Sequence, residues 1–260
     1  MIIAANWKMN PAPSAAASLF ADYAAEDRIT GATAQILCFV PSCYFSQARQ
    51  TFDHTSVEWG AQSCHFETSG AFTGEISAEM ISGSGGKWVL AGHSERRSLF
   101  AETDEIVAAK LVAAVHAGLS VILCVGEMQA QRQNDEQNDY VAKQLKASLS
   151  AFCEESPDWQ SDHLSKVVIA YEPVWAIGTG LVATTDQIED MHNHIHSIMA
   201  ELFSFPGTPA IPPVLYGGSV KQDNADAILS LPAVGGALIG GAPLSADSFA
   251  AIVSSADAVM

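Results

Sequence analysis

Glu172 stands at the end of the apolar run Val167–Tyr171 and is followed by Pro173 and the loop VWAIGTG at 174–180. A carboxylate at that point, with a stiff and then flexible segment behind it, suits a catalytic base beneath a moving lid. A paired structural carboxylate is the competing reading, but no basic residue lies near it in sequence. Four other apolar runs also end in chemistry. Asn6-Trp7-Lys8 follows the first, Gly92-His93-Ser94-Glu95-Arg96-Arg97 the fourth, Gly217-Gly218-Ser219 the seventh and Gly240-Gly241 the eighth. Bare glycine backbone can approach an anion closely. The two glycine groups, with Gly178 in the lid, therefore spell a phosphate cup made of N–H donors. Each alone is equally a tight turn; on adjacent strands they favour phosphate. Lys8 is either a solvated lysine or a ligand-facing ammonium, and its place directly after a strand favours the second. His93 is either structural or an electrophile toward a carbonyl. A short helix over Ser94–Phe100, beginning just after it, favours the neutral imidazole.

The elements that must position these groups are short apolar runs alternating with helical patterns. The runs are Ile2–Ala5, Ile36–Val40, Val57–Ala61, Trp88–Ala91, Val121–Val125, Val167–Tyr171, Val214–Tyr216 and Ala237–Ile239. Most are continuous rather than alternating, as in parallel strands buried on both faces. Asp104–His116 has helical spacing and stops before Gly118, a C-terminal cap. Thr184-Thr185-Asp186-Gln187 reads as a capping box opening a helix over Asp186–Phe203. Repeated strand–helix units give the α/β class, and their number predicts a closed (β/α)8 barrel with the chemistry at the C-terminal ends of the strands. No linker or low-complexity tract divides the 260 residues, so residues 1–260 are expected to form one catalytic domain.

Twelve Lys and Arg against 29 Asp and Glu give a net charge of −17. That balance argues against nucleic acid or an anionic membrane as partner. It leaves room for a small anion, because distant surface charge is screened within about 8 Å. Five scattered cysteines form no disulfide framework, which points to a reducing, cytoplasmic location. The N-terminus is not a signal peptide, and no apolar run is long enough to span a membrane.

Three motif-like stretches are set aside. Residues 178–183 fit a dinucleotide fingerprint formally, but the preceding strand ends too early, at Tyr171. Residues 82–88 resemble a phosphate loop, yet Ile81 stands where its first glycine belongs and Trp88 where Ser or Thr should follow. His192, His194 and His196 lack an HExxH pattern and read as a solvated helix face rather than a metal site.

The stretches ANWKMN, GAFTGEIS, AGHSERR, CVGE, AYEPVWAIGTG and YGGSV resemble the triosephosphate isomerase family, in family order across nearly the whole chain. The resemblance implies a TIM barrel, an aldose–ketose isomerase acting in glycolysis and gluconeogenesis, and no metal or organic cofactor. It implies that Glu172 moves a proton between two carbons and that His93 polarises the carbonyl. That division of labour is the established worked example of a glutamate base and a neutral histidine under a closing loop. The resemblance further implies that Asn6 and Lys8 hold the substrate and that Glu95 orders the lysine. Ser94 would help place His93. Gly178, Ser219, Gly240 and Gly241 would bind the phosphate, and Ile177 and Leu238 would dry the base. Thr73, in GAFTGEIS, would reach toward Asn6 of a neighbouring subunit in a homodimer. Read without the family, that stretch is an exposed turn. Leu181 stands where the family's lid commonly has lysine, Gly235 where aspartate is usual, and Pro243 where serine is usual. None of the three is a proton-transfer residue. Two other readings stay open: an isomerase of a four-carbon sugar phosphate, and a non-catalytic barrel that binds sugar phosphates.

Overall fold

Strand faces explain the architecture. In the computed structural model, which describes residues 1–177, 181–204 and 210–260, the strands are β1 (Ile2–Asn6), β2 (Gln35–Val40), β3 (Glu58–Ala61), β4 (Trp88–Ala91), β5 (Ser120–Val125), β6 (Val167–Tyr171), β7 (Val214–Tyr216) and β8 (Gly236–Ile239). Each is parallel to its neighbours, and β8 pairs with β1 to close the barrel. All eight expected strands are present, with ends shifted by a residue at most.

Successive side chains point to opposite faces of a strand, and here both faces are buried. Ile2, Ala4, Leu37, Phe39, Leu90, Ile122, Val168, Ala170 and Leu215 fill one cluster. Their neighbours Ile3, Ala5, Val121, Leu123, Ile169 and Tyr171 join a second, larger cluster with helix residues such as Leu111, Leu145 and Ile188. The first is the barrel interior and the second the seam beneath the helices. This is why the runs are apolar throughout. Closure also depends on Gly236, where φ is 146° and a Cβ would lie 1.8 Å from the Ile2 carbonyl oxygen. Only glycine fits that approach.

The helices start and stop where the local chemistry directs. Thr103 Oγ1 accepts the Ile106 N–H and opens helix Asp104–His116. After its end the chain passes through Gly118 at φ 85°, a left-handed cap. The capping box at Thr184 and Gln187 is formed, and it opens helix Thr185–Leu202. The buried stripe of that helix contains Ile188, Met191, Ile195 and Met199, and also His192.

His192 corrects the expectation of a solvated histidine face, because it is fully buried. Its Nδ1 faces the Ala233 carbonyl oxygen at 3.2 Å, and His196 Nε2 reaches the same oxygen at 3.2 Å. Its ring packs edge-on against Tyr171 at 5.9 Å. His194 and His196 are both partly exposed, and His194 Nε2 lies 3.0 Å from the Asn138 carbonyl oxygen. Packing against the loop before β8 overrides the polar reading of the triplet. Among the described residues, no helix is long and apolar enough to cross a membrane.

Candidate active site

Strand parity carries the site. Ile2 and Ala4 face the barrel interior, so Asn6 follows them inward; Val168 and Ala170 place Glu172 inward; Leu215 places Gly217 and Leu238 places Gly240. These side chains and glycines meet at the C-terminal mouth in a cavity of about 400 Å³. It is lined by Asn6 and Lys8 after β1, His93 after β4, Glu172 and Ile177 after β6, Ser219 after β7, and Leu238, Gly240 and Gly241 at the end of β8. Of the residues singled out in the sequence, Ser94 and Glu95 sit just behind this lining and touch it. Thr73 is exposed and apart. Gly178 lies outside the described residues.

Glu172 is 2% exposed. One carboxylate oxygen accepts the Ser94 N–H at 2.8 Å, and the other accepts the Ser94 hydroxyl at 3.2 Å. His93 Nε2 lies 3.1 Å from Oε1. On the far side of the imidazole, Nδ1 accepts the Glu95 N–H at 3.3 Å. An acceptor at Nδ1 leaves the proton on Nε2, so the ring presents a neutral N–H donor to the cavity. Helix Ser94–Leu99 begins at this point and supplies both backbone donors.

Lys8 is held from several directions. Its N–H donates to Asn6 Oδ1 at 3.0 Å, its carbonyl accepts from Gln62 Nε2 at 2.8 Å, and its ammonium donates to Glu95 Oε1 at 2.6 Å. The glycines give these side chains room. A Cβ on Gly240 would lie 2.8 Å from Lys8 Cε, and one on Gly217 would lie 2.8 Å from Glu172 Cγ.

Several supporting residues escaped the sequence reading. Asn10 and Leu244 line the cavity. Asn224 folds the loop after β7, donating to the Ser219 carbonyl at 3.0 Å and accepting the Lys221 N–H at 2.7 Å. Glu127, after β5, is fully buried. Its Oε1 accepts from Trp175 Nε1 at 2.7 Å, Tyr171 Oη at 3.1 Å and Arg132 Nε at 3.1 Å. Burial raises its carboxyl above the usual range, while the backbone hydrogen bond, Trp175, Arg132 and Tyr171 pull the other way. The available signal was positional: CVGE ends a strand just as AYE does. Gly126 beside it is forced, since a Cβ there would fall 1.7 Å from the Glu172 carbonyl oxygen.

A buried carboxylate touching a neutral imidazole, with an ammonium and glycine-rich backbone lining the same cavity, can move a proton on carbon while an anionic group is gripped. The comparisons with known proteins point the same way. The family profile described as Triosephosphate isomerase matches residues 1–256. The chain is 39% identical over 253 residues to the triosephosphate isomerase of Bdellovibrio bacteriovorus, covering 97% of this chain and 98% of the relative. It is 43% identical over 254 residues to that of Granulibacter bethesdensis, covering 96% and 97%. The crystal structure of triosephosphate isomerase from Bartonella henselae superposes with a TM-score of 0.84 at 37% identity, covering 98% of each chain. Matches of this extent, on a closed eight-stranded barrel, establish that the chain belongs to the triosephosphate isomerase family.

Proposed function

We propose that the chain interconverts D-glyceraldehyde 3-phosphate and dihydroxyacetone phosphate by a proton shift through an enediol(ate), with residues 1–260 acting as one catalytic domain. The observation that carries this reading is the contact of Glu172 with His93 at 3.1 Å inside the cavity that also holds Lys8 and the glycine N–H groups. Glu172 takes the proton from one carbon and returns it to its neighbour. His93 donates its Nε2 proton to the carbonyl oxygen as charge develops there, and then recovers a proton from the adjacent hydroxyl. Atoms balance without a metal or organic cofactor. Lys8 and Asn6 hold the substrate and stabilise the developing negative charge, with Glu95 positioning the lysine. The N–H groups of Ser219, Gly240 and Gly241 grip the phosphate, joined in this proposal by Gly178 of the lid. Ile177 and Leu238 shield the carboxylate from water, which strengthens it as a base and protects the enediolate.

The hydrogen bonds from Ser94 occupy the same oxygens that must take the proton. The base therefore has to leave Ser94 to act, and Ser94 sets its resting position. The same reading assigns the protein to glycolysis and gluconeogenesis in the cytoplasm and to a homodimer in which Thr73 of one protomer completes the site of its partner.

The test is turnover of D-glyceraldehyde 3-phosphate by the purified protein and by Glu172→Gln. Loss of a positioned general base should lower kcat by about 10²–10⁴-fold or more, with substrate affinity largely kept. Wild-type protein that binds phosphate esters without turning over the triose would refute the proposal.

A further inference from the structure

The phosphate end of the active-site cavity does not stop at the glycines. A second cavity of about 510 Å³ shares Ser219, Gly240 and Gly241 with it and continues past Leu244 to Lys221 and Ser248. Pockets of roughly 300–1,000 Å³ house drug-sized ligands, so this extension alone is roomy for a phosphorylated triose.

Lys221 is unusual in this acidic chain. Among the described residues, three lysine or arginine side chains have no carboxylate within ion-pair distance: Lys143, Lys166 and Lys221. Lys166 donates to the Gly118 carbonyl instead, and neither Lys143 nor Lys166 lines this cavity. Asp223 and Asp226 follow Lys221 closely in sequence, yet neither pairs with its ammonium. The backbone under the side chain is fixed: the Lys221 N–H donates to Asn224 Oδ1 at 2.7 Å, and the Lys221 carbonyl accepts the Ala225 N–H at 2.9 Å. An exposed ammonium on a pinned backbone, at the rim of a cavity continuous with an anion-binding cup, is arranged for a second negative charge.

We propose that this extension is a second anion subsite, so that a ligand with two anionic ends binds with one phosphate in the glycine cup and the other on Lys221, excluding the triose substrate. The inference rests on the phosphate assignment of the cup made above. Its ligand class is a bisphosphate whose two groups are joined by a short flexible chain, and its effect is competitive inhibition by metabolites longer and more charged than the substrate.

Calorimetric titration with alkanediol bisphosphates of graded length, against the matching monophosphates, tests it directly. At the best length the bisphosphate should bind about tenfold tighter than its monophosphate, the size of one charge-assisted contact and beyond the roughly twofold gain from having two equivalent ends. Lys221→Met should abolish that gain, leaving monophosphate affinity and the KM for triose phosphate unchanged. No gain at any length, or a gain that survives Lys221→Met, overturns the subsite. Turnover in the same preparation separates the two proposals. A Lys221-dependent gain without triose turnover would keep the subsite and remove the isomerase assignment. Failure of both esters to bind would remove the cup and the subsite together.

Discussion

Lys8 has φ of 52°, in the left-handed region that residues with a side chain rarely occupy. Such backbone persists only where its surroundings over-determine it, and here Asn6, Gln62 and Glu95 do so. The sequence marks Lys8 by its place after a strand but gives no sign of the strain, because two of the three contacts that impose it, from Gln62 and Glu95, come from residues far along the chain. His192 shows the opposite failure. Its position on the apolar stripe between Ile188 and Ile195 was visible, but the run of histidines drew attention to polarity. Burial lowers its imidazole pKa from 6.5 to about 4, and the neutral ring gives its Nδ1 proton to Ala233. The unfolded chain binds a proton at this residue between those two values and the folded protein does not. Stability is therefore unaffected above pH 6.5, falls as pH drops toward 4, and falls no further from this source below 4. The total contribution is about 3 kcal/mol. His192→Gln should flatten that part of the profile, read as the difference between urea midpoints of the two proteins from pH 7 to pH 4. Parallel profiles for wild type and variant would show that the ring titrates normally.

At the scale of elements, the apolar runs were legible because both faces of each strand are buried, and strand parity then fixed which following residue turns inward. Nothing in the sequence revealed that β5 and β6 share a carboxylate at their ends. Glu127 follows β5 yet accepts from Tyr171, the last residue of β6, and from Trp175, which follows Glu172 in the segment leading to the lid. Arg132 completes the set, and also donates to Tyr171 Oη at 3.1 Å. Removing the carboxylate takes the countercharge from a mostly buried guanidinium and the Glu127 hydrogen bond from two ring donors. Breaking a buried pair in this way costs about 3–5 kcal/mol. Glu127→Ala should lower stability by that amount in denaturant titrations and also raise KM, because Trp175 anchors the segment that leads into the proposed lid. A KM left unchanged alongside the stability loss would mean that Glu127 supports the barrel and not the lid. The departure at Gly235 also becomes physical at this scale. A Cβ there would lie 2.5 Å from Pro213 Cβ, so the glycine is matched to the proline before β7. The sequence alone could not pair two positions on different loops.

At the scale of the whole molecule, the exposed segment around Thr73 and the site meet through a groove. Phe66 and Phe72 are 37% and 42% exposed on that segment; Phe66 stacks on His65 and Phe72 packs against it at a tilt. Two large apolar side chains held in the open suit a surface that the proposed second copy would cover. Beside them lies a cavity of about 210 Å³ lined by Phe45, Gln62, Cys64, Ile76 and Arg96 among others. Loop and groove on one chain can pair with groove and loop on a second copy about a two-fold axis, the self-complementary arrangement of most homodimers. Gln62 makes this matter to catalysis, because the side chain that lines the groove also donates to the Lys8 carbonyl. A subunit seated there would hold Gln62, and through it the strained turn that aims the ammonium. Thr73→Arg places bulk and charge on the loop tip and should yield a monomer by light scattering. Its kcat/KM should fall about 100-fold, the cost of a misplacement near 1 Å at the reacting groups. The folded barrel should survive, since Thr73 is exposed and remote from the core. A folded monomer of full activity would show that Asn6, Gln62 and Glu95 hold Lys8 unaided, and the proposed homodimer would lose its catalytic reason.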